Sequence, residues 1–86
     1  MADLSREEVK LIGRTMAEDF VKNYEAHRLD YLADSLFNDV WEKHKPQTSE
    51  FSLKAIMLVY FMHLEERYEQ RDPELLTKLK TLAGQP

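Results

Sequence analysis

Apolar residues recur at every third or fourth position through almost the whole sequence, and this spacing limits the fold more than any other feature. Because an α-helix turns once in about 3.6 residues, side chains spaced in this way fall along one side of a helix. The chain also has only two glycines and three prolines, and neither glycine lies in a dipeptide typical of a β-hairpin. The sequence therefore predicts an all-α fold, a compact bundle of about four helices.

The first two helices are predicted over residues 6–27 and 30–44. Ser5 and Glu8 match a capping box, in which each side chain accepts from the backbone N–H of the other residue. Asp30 is placed to cap the second helix or to lie in its first turn. Because no Gly or Pro separates the two segments, one long helix with a bend remains an alternative.

The other two helices are predicted over residues 50–70 and 73–83. Pro46 disfavours helical geometry at the residue before it, and Thr48 or Ser49 can cap the helix that follows. Asp72-Pro73 then ends that helix and starts the last one, since proline is tolerated at the first helical position. We expect one domain over residues 1–86, with residues 1–4 and 85–86 frayed.

Gly13 lies beside the apolar stripe of the first helix, which Val9, Met16 and Phe20 help to form. A glycine inside a helix costs about 1 kcal/mol relative to alanine. Close approach of a neighbouring helix would compensate for this cost, so we expect such an approach at Gly13.

The third predicted helix is apolar on two sides. Its first stripe consists of Leu53, Ile56, Met57, Tyr60, Phe61, Leu64 and Tyr68. Its second stripe consists of Phe51, Ala55, Leu58 and Met62. A helix that is apolar all round must be covered all round, and a chain of 86 residues has few elements to cover it. The second stripe is therefore either core or a surface that joins two copies or docks a partner helix, and we expect a homodimer.

Two aromatic residues of the second helix lie off its main apolar stripe. Tyr31 and Trp41 fall toward its two edges. Large aromatic side chains of this kind are enriched at protein interfaces. Trp41 is either a residue at the margin of the core or an interface anchor with Lys43 and Lys45 at its rim, and we include both aromatic residues in the predicted interface.

Composition and spacing give no support to catalysis or metal binding. The chain has no cysteine, which excludes disulfides, thiolate ligands and a cysteine nucleophile. His27, His44 and His63 form no His-Glu-x-x-His arrangement and no i, i+4 pair. Neighbouring carboxylates such as Glu65-Glu66 point about 100° apart on a helix and do not converge on a substrate. We expect no enzyme activity, no cofactor and no metal.

The sequence also bears on location. Acidic residues lie near the start of the sequence, where a signal peptide would be basic and then apolar. The longest apolar run, over residues 55–62, is far shorter than the roughly 20 residues needed to cross a bilayer. We therefore expect a cytoplasmic protein that is not anchored in a membrane.

These features favour a small helical protein-binding or regulatory protein that acts through an apolar helix surface. A net charge of −4 gives no general attraction to nucleic acid. Two alternatives remain. One is an accessory subunit that docks on a larger enzyme. The other is a regulator that binds nucleic acid through a basic patch, formed either by Arg6, Lys10 and Arg14 or by Lys43, Lys45 and Lys54.

Overall fold

The computed structural model describes residues 2–27 and 32–84, which form four α-helices. They are α1 (Arg6–His27), α2 (Ala33–His44), α3 (Glu50–Tyr68) and α4 (Pro73–Leu82). The predicted all-α fold of four helices is confirmed, and α3 and α4 end within two residues of their predicted ends. Residues 28–31, with the predicted start of α2 and its cap Asp30, lie outside the described residues.

Side-chain caps hold three helix starts where the sequence predicts them. The Glu8 N–H donates to Ser5 Oγ and the Ser5 N–H donates to Glu8 Oε1, both at 3.1 Å, which is the capping box. Ser49 caps α3 by accepting from the Ser52 N–H at 3.1 Å. The Asp72 side chain caps α4 in the same manner, directly before the proline. Such caps satisfy backbone donors that have no partner inside the helix.

α1 and α2 are separate helices that pack antiparallel. α1 ends at His27 and α2 begins at Ala33. His44, at the end of α2, lies beside Asp19 in the middle of α1, with His44 Nε2 2.8 Å from Asp19 Oδ2. The chain therefore reverses direction between the two helices, and the alternative of one long bent helix does not form. α4 packs against both α2 and α3.

α3 runs parallel to α1 and touches it closely. Gly13 of α1 lies against Val59 of α3, and further along both helices Glu25 bonds to Arg67. A Cβ at Gly13 would lie 2.5 Å from Val59 Cγ1, and Cβ atoms in proteins almost never come this close to another heavy atom. Only glycine allows this spacing, so the predicted close approach of a helix at Gly13 is confirmed.

One hydrophobic core takes residues from all four helices, and its centre is aromatic. Phe37 of α2 stacks on Tyr60 of α3 with ring centroids 4.4 Å apart, and Phe20 of α1 meets Phe37 edge-on at 6.2 Å. The Tyr60 hydroxyl donates to the Phe37 carbonyl at 3.1 Å, so this buried phenol has a partner. Leu75 and Leu79 of α4 are also buried in this core.

Residues 2–4 lie against the start of α3. The Leu4 N–H donates to Ser52 Oγ at 2.8 Å, and the Thr48 hydroxyl donates to the Ala2 carbonyl at 3.2 Å. The sequence carries no signal for these hydrogen bonds. The expectation that residues 1–4 are frayed was therefore made without them. Met1 and residues 85–86 lie outside the described residues.

The bundle is compact. Its radius of gyration is 12.5 Å, against about 12 Å expected for a folded chain of this length. Within residues 2–27 and 32–84, each helix is either too short or too polar to cross a lipid bilayer.

Candidate protein-binding face

α3 has one side in the core and the other at the surface. Its outer side carries Phe51, Leu58 and Met62, whose exposed fractions are 72%, 43% and 46%. Ala55, between them in the same stripe, is half-buried. We call these four residues the α3 face. The fully buried hydrophobic residues of the inner side are Ile56, Tyr60 and Leu64.

The α3 face is the second stripe that the sequence predicts. The sequence left open whether this stripe is core or interface, and the exposure of Phe51, Leu58 and Met62 places it outside the core of the single chain. Scattered surface leucines need no explanation, whereas several large apolar side chains along one line are typical of a binding surface.

The positions of α1 and α4 explain why this side of α3 stays open. α1 packs against α3 through Gly13, which meets Val59 and the Ile56 carbonyl. Val59 follows Leu58 in the chain, and adjacent helical residues point about 100° apart. The contact with α1 is therefore turned well away from Leu58. α4 contacts α3 as well as α2, and the exposure of Phe51, Leu58 and Met62 shows that neither α1 nor α4 covers the α3 face.

A groove of about 480 Å³ runs between the α3 face and α1. Met62 and Val59 line it from α3, and Leu11 lines it from α1. Leu11 is 55% exposed, so it extends the apolar surface onto α1. The sequence prediction did not include Leu11. The sequence signal for it is that this large apolar residue lies one position away from the apolar stripe of α1. The charged and polar residues that also line the groove are Glu7, Lys10, Arg14, His63 and Glu66.

Charge is distributed unevenly along the outer side of α3. Lys54 lies near the start of the helix, and Glu65, Glu66 and Glu69 lie near its end, all of them exposed. Lys54 Nζ is 3.6 Å from Glu50 Oε1, and both side chains are largely in solvent. The outer side therefore changes from mixed charge at one end to acidic at the other, with Leu58 and Met62 between them.

The two aromatic residues of the predicted second helix have different outcomes. Trp41 is half-buried and packs against the core. This position agrees with the alternative in which Trp41 is a residue at the margin of the core. It belongs to α2, and its role as an interface anchor stays a prediction. Tyr31 lies outside the described residues.

Four of the six basic residues considered for nucleic-acid binding lie close to carboxylates. Lys43 Nζ is 3.6 Å from Asp19 Oδ2, and Lys45 Nζ is 3.1 Å from Glu42 Oε2. Lys54 has Glu50 as its neighbour. In the other predicted patch, Arg14 Nε is 4.0 Å from Glu18 Oε1. These neighbours reduce the positive potential that a phosphate backbone would meet.

One polar cluster joins α1 to α2. Asp19 accepts from His44 at 2.8 Å, and Lys43 Nζ lies 3.6 Å away. The Asn23 side chain donates to the other Asp19 oxygen at 2.8 Å. Burial alone raises the pKa of Asp19, but the His44 hydrogen bond and the Lys43 charge outweigh burial and hold this pKa below its usual range. Asp19 is thus an ionised structural group.

A second polar cluster joins α1 to α3. Arg67 donates from Nε and from one terminal nitrogen to the two oxygens of Glu25, at 2.7 and 2.8 Å. The Tyr68 hydroxyl donates to Glu25 Oε2 at 2.9 Å. The Arg67 hydrogen bond is the largest cause that lowers the pKa of Glu25, to about 2. Burial, followed by the Glu25 hydrogen bond, raises the pKa of Tyr68.

These two clusters hold neighbouring helices together. Asp19 and Glu25 are acids with lowered pKa, and each already accepts hydrogen bonds from neighbouring helices. Across residues 2–27 and 32–84, no three His, Cys, Asp or Glu side chains come together in a way that could hold a metal ion.

Comparison of the chain with protein-family models, with curated proteins and with solved structures found no match.

Proposed function

We propose that this protein is a non-catalytic helical binding or regulatory protein that acts through the α3 face, and that it associates with a second copy of itself there. The observation that carries the proposal is the exposure of Phe51, Leu58 and Met62 along one line of α3. Full burial of a Leu, Met or Phe side chain is worth about 1.5–3 kcal/mol relative to exposure. Covering this line would recover a part of that free energy for each of the three side chains.

The neighbouring Leu11 supports the same proposal. It widens the apolar surface across the groove to α1, so a partner would contact two parallel helices and not one. The residues around the groove are charged, as the rim of a protein interface is. An apolar centre with a polar rim is the usual arrangement of binding residues at such interfaces.

A second copy is the simplest occupant. Two-fold dimers are the commonest soluble oligomers, and in a two-fold interface the same patch contacts itself. An apolar line such as the α3 face can bury its side chains against the same line of a second copy. An accessory role on a larger enzyme would use the same face with a different occupant.

The test compares one substitution at two exposed leucines. Leu58→Glu places a charge in the α3 face, and Leu82→Glu makes the same change in α4, where Leu82 is 37% exposed against 43% for Leu58. Sedimentation equilibrium, with circular dichroism to establish folding, should give a dimer for the wild type and for Leu82→Glu. Leu58→Glu should be a folded monomer, since burying an unpaired carboxylate is costly. A wild type and a Leu58→Glu variant that dimerise equally well would contradict the proposal.

A further inference from the structure

Two charges of opposite sign lie along one edge of the α3 face. Lys54 and Glu65 are 11 residues apart, which is close to three helical turns, so they point in nearly the same direction. Both side chains are exposed. Leu58 and Met62 lie between them, and the midpoint of the Leu58–Met62 pair nearly coincides with the midpoint of the Lys54–Glu65 pair.

We propose that two copies pair their α3 helices antiparallel, about a two-fold axis that passes between Leu58 and Met62, with Lys54 of each copy facing Glu65 of the other. This inference rests on the proposed function, since it states how the second copy lies on the α3 face. Leu58 of one copy then contacts the second copy's Met62, and the same contact occurs twice. Both oppositely charged pairs form at once in this single arrangement.

Charge selects this orientation over the parallel one. In a parallel pair in register, the acidic ends of the two helices, which carry Glu65, Glu66 and Glu69, would lie side by side, and like charges at a rim repel. In the antiparallel pair each edge of one helix meets the same edge of the other, so Lys54 and Glu65 meet without any change in backbone. The apolar residues fit either orientation, because Leu58 and Met62 can contact each other or themselves. The charged residues therefore decide the orientation.

The existing contact of Lys54 does not prevent this pairing. Its neighbour Glu50 is 3.6 Å away, and the two side chains are 78% and 84% exposed. Exposed ion pairs of this kind contribute little to stability, so Lys54 can turn to a carboxylate of a second copy at small cost. Glu65 lies on the C-terminal half of α3, one residue before Glu66, and adds to the acidic end that would attract Lys54.

Charge reversal tests the pairing. Lys54→Glu and Glu65→Lys should each raise the dimer dissociation constant by about three- to tenfold, because two pairs become repulsive in each variant. The double variant Lys54→Glu, Glu65→Lys should return to within about threefold of the wild type. The matched controls Lys80→Glu and Glu74→Lys make the same changes at exposed positions of α4 and should leave the constant unchanged.

Cross-linking gives an independent readout of direction, because the chain has no cysteine of its own. A mixture of Lys54→Cys and Glu65→Cys proteins, treated with a short bis-maleimide, should form the mixed cross-linked dimer. Lys54→Cys alone should stay uncross-linked, since the two Lys54 positions lie about 16 Å apart along an antiparallel pair.

The outcomes separate the orientation from the proposed function. A wild type that stays monomeric removes the function and the orientation together. A wild type that dimerises and a Leu58→Glu variant that does not would support the function. If in that case Lys54→Cys cross-links to itself, or the double charge reversal fails to restore dimerisation, the antiparallel arrangement is wrong and the proposed function stands.

Discussion

Gly13 of α1 and Val59 of α3 set the distance between the two longest helices of the bundle: a Cβ on Gly13 would lie 2.5 Å from Val59 Cγ1 and 2.7 Å from Val59 Cβ. The Ile56 carbonyl oxygen would lie 3.2 Å from the same Cβ. The contact fixes which side of α3 meets α1. Since Leu58 adjoins Val59, it also fixes which apolar side of α3 is left at the surface.

Gly13→Ala tests the close contact between α1 and α3. In an open helix this change stabilises by about 1 kcal/mol, because alanine is the better helix former. Here the added methyl group meets Val59, so we expect the free energy of unfolding to fall by about 1–3 kcal/mol. Urea denaturation measures the change.

The double variant Gly13→Ala, Val59→Ala provides the control for that prediction. Removing Val59 Cγ1 takes away the nearest clashing atom but leaves Val59 Cβ, so the second substitution should recover part of the loss. A Gly13→Ala protein that is more stable than the wild type would show that α1 and α3 are further apart than we describe.

The Glu25–Arg67 pair predicts a dependence of stability on acid. The pKa of Glu25 is about 2 in the folded protein, below its ordinary value of 4.5. The stabilisation from this lowered pKa is complete above about pH 4.5 and is lost as the pH falls toward 2. Because the pair is partly exposed, we expect Glu25→Gln to lower the free energy of unfolding by only about 0.5–1 kcal/mol at neutral pH.

Denaturation at several pH values checks this pair. The difference between wild type and Glu25→Gln should shrink as the pH is lowered from 6 to about 2. Glu18→Gln is the control, since Glu18 and Arg14 lie 4.0 Å apart on one exposed helix face and should contribute less than about 0.5 kcal/mol. A Glu25→Gln difference that stays constant over this range would rule out the lowered pKa as the source of stability.

Ser52 links the segment before α1 to the start of α3. Its side chain is buried, and its hydroxyl oxygen accepts from the Leu4 N–H at 2.8 Å. Ser52→Ala removes that acceptor, and we expect a loss of about 1 kcal/mol together with faster hydrogen exchange at the Leu4 amide. Ser35→Ala, at an exposed serine of α2, should change stability by less than about 0.5 kcal/mol. A wild-type Leu4 amide that exchanges as fast as an unstructured one would instead favour a frayed segment.

The starts of α1, α3 and α4 were predictable because their causes are local. Ser5, Ser49 and Asp72 act within three residues of their own positions, and the sequence shows each of these caps directly. The stop after α4 is equally local, since Gly84 has a φ of 72°, a conformation that other residues rarely adopt.

The choice between the two stripes of α3 was not predictable, because both are apolar at helical spacing. Which stripe is buried depends on where α1 and α4 lie, and the position of α1 depends on contacts such as the one between Gly13 and Val59. The sequence pointed to Gly13 as a close approach but could not name its partner. For the same reason Leu11 was missed, since its importance comes from the groove that it shares with Met62.

The molar mass of the wild type in solution tests the central claim most directly. Sedimentation equilibrium from about 1 µM to 1 mM covers the range in which a small apolar interface associates. A mass that rises with concentration from 10.2 kDa toward twice that value is the result we predict for self-association through the α3 face. A mass that stays at that of one chain over the whole range would contradict it.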